Sequence, residues 1–64
     1  MSHLTATYEV RESKSTVYKL EKHQSEGGIF WIMFAEKDGE IVRETVTSKR
    51  RLSQETKDWF GVEK

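Results

Sequence analysis

The chain has 64 residues with no cysteine, and its 11 Lys+Arg against 11 Asp+Glu give a formal net charge of +0. That length gives one small domain, expected over 1–64, near the lower limit at which a single core is stable unaided, and disulfide staples are excluded. Balanced charge excludes a uniformly basic nucleic-acid coat protein and an acidic nucleic-acid mimic, each of which carries one dominant sign.

Residues 4–11 alternate, with Leu4, Ala6, Tyr8 and Val10 on one side and Thr5, Thr7, Glu9 and Arg11 on the other. This is the pattern of a half-buried strand. Glu12-Ser13-Lys14-Ser15 is polar and of hairpin-loop length, and residues 16–22 alternate again, with Thr16, Tyr18 and Leu20 opposite Val17, Lys19 and Glu21. The spacing predicts an antiparallel hairpin with one wet face. His23 to Gly28 is read as the next connection, its two glycines permitting positive φ or a bulge.

Seven apolar residues follow without interruption, Ile29-Phe30-Trp31-Ile32-Met33-Phe34-Ala35. Successive strand side chains point to opposite faces, so such a run predicts a central strand covered on both sides. Lys37-Asp38-Gly39-Glu40 is the strongest turn signal in the chain, and a fourth strand is expected at about 40–47. Register depends on the turn. A two-residue loop on Asp38-Gly39 sets Trp31 opposite Val46; a three-residue loop with a bulge at Gly39 sets Phe30 there.

Beyond Thr47 the pattern changes. Ser53 is a suitable N-cap for a helix over 54–60, and Gly61 a suitable stop. Leu52, Thr56, Trp59 and Phe60 then share one stripe. The expected architecture is α+β and mainly β: a four-stranded antiparallel meander, twisted enough to curl into a half-barrel, with one short C-terminal helix. Such a curl encloses one face of the third strand. The other face needs the helix or a second subunit, and where helix and curl compete for the same face a homodimer through the remaining aromatics is the expected state.

No segment approaches the roughly 20 apolar residues of a membrane span, and the first five residues lack a signal peptide's basic and apolar regions. A cytoplasmic location without membrane partners is expected. Chemistry is sparse: no cysteine nucleophile, His3 near the chain start and His23 in a polar stretch, and no lysine or helix after Gly27-Gly28 to make a phosphate loop. The chain reads as a non-enzyme without metal or other cofactor.

Two kinds of partner remain. Aromatic side chains on a sheet can stack bases while cations around them hold phosphates. Tyr18, Trp31 and Phe30 or Phe34 are the stacking candidates, with Lys19, Arg43, Lys49, Arg50 and Arg51 for phosphates. Lys49-Arg50-Arg51 precedes the helix, so the helix dipole does not explain its sign. The second reading is a protein-binding module, such as a small inhibitor, regulator or subunit. It would act through the apolar face of strands three and four, with Trp31, Met33 and Phe34 at the interface and Arg43 beside them.

Overall fold

Polar–apolar alternation becomes four antiparallel strands in the computed structural model of the chain, in which residues 2–62 are described. The strands are β1 (His3–Arg11), β2 (Thr16–Ser25), β3 (Gly28–Lys37) and β4 (Glu40–Lys49), and a helix, α1 (Gln54–Phe60), follows. The sheet runs in the order β1-β2-β3-β4 and does not close. The expected meander with a C-terminal helix is therefore the observed fold. The expected 1–64 domain extends past the described residues at Met1, Glu63 and Lys64.

The loop at 12–15 matches the expectation, but the connection after β2 is much shorter than the sequence suggests. His23, Gln24 and Ser25 remain in the strand, opposite Phe30, Ile29 and Gly28, and only Glu26-Gly27 forms the turn. Cross-strand contacts explain the extension. The His23 ring stacks on Phe30 at 5.1 Å with the planes 11° apart, and Ser25 Oγ donates to the Gly28 carbonyl at 3.1 Å.

Asp38 and Gly39, at φ 53° and 85°, form the two-residue β3–β4 turn. Positive φ at both central residues is the geometry whose twist matches the flanking strands, and glycine takes it without steric cost. Lys37 thus faces Glu40 and Ala35 faces Val42, but farther along Met33 faces Thr47 and Trp31 faces Lys49. Between these pairs Arg43–Val46 bulges opposite Phe34. Both expected registers are corrected by this bulge: neither Trp31 nor Phe30 faces Val46. A bulge also separates Leu4 from Ala6 in β1, which puts Leu4 with His23 and not with Ala6, Tyr8 and Val10.

One sheet face carries Tyr8, Val10, Tyr18, Leu20, Trp31 and Met33. On it lie the buried Phe60 and Val62, with Leu52 at the rim, around a fully buried Leu20. Helix α1 starts as predicted, with Ser53 Oγ accepting from the Thr56 N–H at 3.2 Å. It stops at Gly61, where φ of 74° lets the Val62 N–H reach the Lys57 carbonyl at 2.9 Å. That left-handed residue turns Val62 down into the core. At seven residues the helix is too short to persist alone, so it is held by this docking.

Candidate nucleic-acid interface

Alternation from Leu20 places Lys22 on the core-facing side of β2, directly across from Trp31. A lysine there keeps its charge in water by lying along the ring, and Nζ stands 5.6 Å from the Trp31 centroid. On the other flank of Trp31, β4 contributes Lys49. The chain then turns toward the helix, and Arg50 folds back over the β2–β3 turn. Its Nη1 donates to the Gly27 carbonyl at 3.1 Å.

These residues enclose a groove of about 510 Å³ at one end of the sheet. Lys22 comes from β2, Ile29 and Trp31 from β3, Arg50, Arg51 and Leu52 from the connection, and Lys57 from α1. Among the described residues that line it there is no carboxylate. Four cations share one concavity in a chain of zero formal net charge. Like charges held this close lower their mutual repulsion by attracting a polyanion. The floor is apolar, since Trp31 is 8% exposed.

The opposite sheet face is electrostatically different. A depression of about 390 Å³ there is lined by Glu9 and Glu36 as well as Arg11 and Lys19. Lys19 Nζ sits 2.9 Å from Glu36 Oε1, and this hydrogen bond and charge raise the lysine pKa above its ordinary value. His23 Nε2 similarly lies 3.1 Å from Glu21 Oε1.

The structure therefore sorts the residues that the sequence offered. Arg50 and Arg51 line the groove and Lys49 flanks Trp31. Lys19 faces the other way, paired with Glu36. Arg43 is exposed in the β4 bulge near the Asp38-Gly39 turn. Tyr18 meets the Trp59 ring edge-on at 5.0 Å beneath the helix. Trp31 is groove floor, overlain by Lys22, so its face is not open for base stacking. Met33 shares the core side with Trp31, whereas Phe34 lies on the far face, so the three do not form one patch.

Sequence reading missed Lys22 and Lys57. The signal for Lys22 was its alternation in phase with Leu20, which puts a cation on the core side of a strand. Lys57 had no local signal, because its place depends on how the helix docks. Among the described residues no cluster of His, Asp or Glu is placed to hold a metal, and no helix is long and apolar enough to cross a membrane. Together the fold and groove define an open four-stranded antiparallel sheet with one helix packed on it and a cationic cleft at its end. Comparison of the chain with protein-family models, curated proteins and solved structures finds no match.

Proposed function

We propose that this protein is a non-enzymatic binding protein that holds nucleic acid in the groove between the β2–β3 hairpin and the 50–57 segment. The observation that carries this reading is the gathering of Lys22, Arg50, Arg51 and Lys57 around one apolar floor. Three structural elements contribute, so the cluster is not a by-product of a basic run. Phosphates supply the affinity; the buried Trp31 face supplies no base readout, so binding is tolerant of sequence. A cytoplasmic setting and a regulatory role belong to the same proposal.

The test is fluorescence anisotropy with mixed-sequence single-stranded and duplex oligonucleotides across a salt series. Two or three phosphate contacts give a slope of log K against log salt of about −1.8 to −2.7 on duplex and about −1.4 to −2.1 on single strands. Arg51→Ala should lower the slope by roughly one unit while leaving the fold intact. Polyglutamate serves as a control: equal binding to it at each salt concentration would favour an acidic protein segment as ligand. Salt-independent binding, or no binding by the folded chain, overturns the proposal.

A further inference from the structure

The helix and the 50–53 connection cover one side of the sheet, and no helix or strand among the described residues packs on the other. That open side presents Leu4, Val17, Phe30, Ile32, Phe34 and Ile41, assigned to it by the strand pairings. Leu4, at one end of this side, is 49% exposed and Ile41, at the other, 55%; between them Val17, Phe30 and Ile32 are half-buried and Phe34 is 9% exposed. An apolar stripe with exposed ends, on a sheet side that no element packs against, fits an interaction site. We propose that a second copy of the same chain occupies it, two sheets packing face to face as a sandwich.

Two measures of size support a missing partner. The chain exposes 4928 Å², whereas a folded monomer of 7.5 kDa exposes roughly 4200 Å². The excess, about 700 Å², approaches the roughly 800 Å² that each partner buries in a standard interface. The radius of gyration is 12.0 Å, against about 10.7 Å for a compact domain of this length. The molecule is a slab of 36 × 25 × 17 Å. Stacking two slabs on their broad faces gives each the missing layer.

Charge identifies the partner as a copy. The open face carries Glu9, Glu21 and Glu36 together with Arg11, Lys19 and His23, and two of the acids are already paired within the chain. A face nearly neutral in itself meets its twofold mate without net repulsion. The cationic groove on the other side would repel its own copy. The open face therefore suits self-association, and the groove remains outward and accessible in the dimer.

Sedimentation equilibrium without nucleic acid tests this, over concentrations from about 1 to about 500 μM, since interfaces of this size reach at least micromolar affinity. A concentration-dependent shift to twice the chain mass is expected. Ile32→Lys should weaken association at least about 30-fold. Ile41→Lys, at a more exposed position that tolerates the change, should weaken it in the same direction with unchanged circular dichroism. Gln24→Lys, on the helix side, should leave it unaltered. A monomer throughout the range, or a dimer indifferent to both isoleucine substitutions, overturns the proposal without bearing on the groove.

Discussion

Thr45 Oγ1 takes the place of a strand carbonyl: it accepts the Ala35 N–H at 2.8 Å and donates to the Val42 carbonyl at 2.7 Å. Ala35 is buried, and the β4 bulge carries the regular ladder away from it. A single hydroxyl thus closes the gap that the register shift opens.

Thr45→Val keeps the shape and removes the hydroxyl, leaving the buried Ala35 N–H without an acceptor. The expected loss is about 1–3 kcal/mol in urea unfolding. Thr45→Ser, which keeps the oxygen, should recover most of it. Equal stabilities of the valine and serine variants would show that the bulge does not depend on this hydroxyl.

Adjacent aromatic residues in α1 should behave unequally. Phe60 is buried in the core, whereas Trp59 is 48% exposed and touches Tyr18 and Phe60 with its edges. Phe60→Ala should cost about 3–5 kcal/mol. A 64-residue domain has a total stability of roughly 3–10 kcal/mol, so this variant loses much of its fold at room temperature. Trp59→Ala should cost about 1 kcal/mol, the value of the ring contacts. Far-ultraviolet circular dichroism during thermal melts separates the two.

Alkaline pH should weaken the fold. The nearby Glu12 carboxylate raises the Tyr18 pKa, through hydrogen bonding first and its charge second. Glu36 raises the Lys19 pKa by the same two causes in the same order. For a folded-state pKa above the unfolded one, the stabilisation is whole below the unfolded value and lost as pH climbs through the folded value. Both groups therefore place the loss above about pH 10. Both also meet solvent, so the effect is modest and shrinks in salt. Melting temperatures of the wild type should fall between pH about 9 and about 11 by more than those of a Glu12→Gln/Glu36→Gln variant.

Within the groove, charge and packing should separate. Lys22→Met keeps an unbranched chain over Trp31 and removes the ammonium, so oligonucleotide affinity falls while stability changes little. Arg50→Ala should do more, because it also removes the clamp on the Gly27 carbonyl. Anisotropy titration beside chemical denaturation resolves these two patterns. Arg50→Ala with an unchanged unfolding midpoint would remove the clamp from the account.

Much of the fold is legible in the sequence because the chemistry that sets it is local. Two periodicities, alternate residues through the strands and a helical stripe from Leu52 to Phe60, give the element order. Ser53 and Gly61 bound the helix through caps that operate within a few residues, and Asp38-Gly39 forms its turn for equally local reasons. The β2–β3 connection is less legible because polar residues can extend a strand when a partner across the ladder holds them, as Phe30 holds His23.

The sequence by itself determined which segments pair, that β3 must be buried, and that the basic run before the helix is not a dipole effect. Only the tertiary structure decided register, because the β4 bulge depends on Thr45 reaching Ala35 across the sheet. Since each one-residue slip exchanges the faces of a strand, that bulge and the one after Leu4 also decide which apolar side chains remain open. Tertiary packing likewise brings Lys22 and Lys57 to the arginines, because they lie far apart in the chain and meet only when the helix docks.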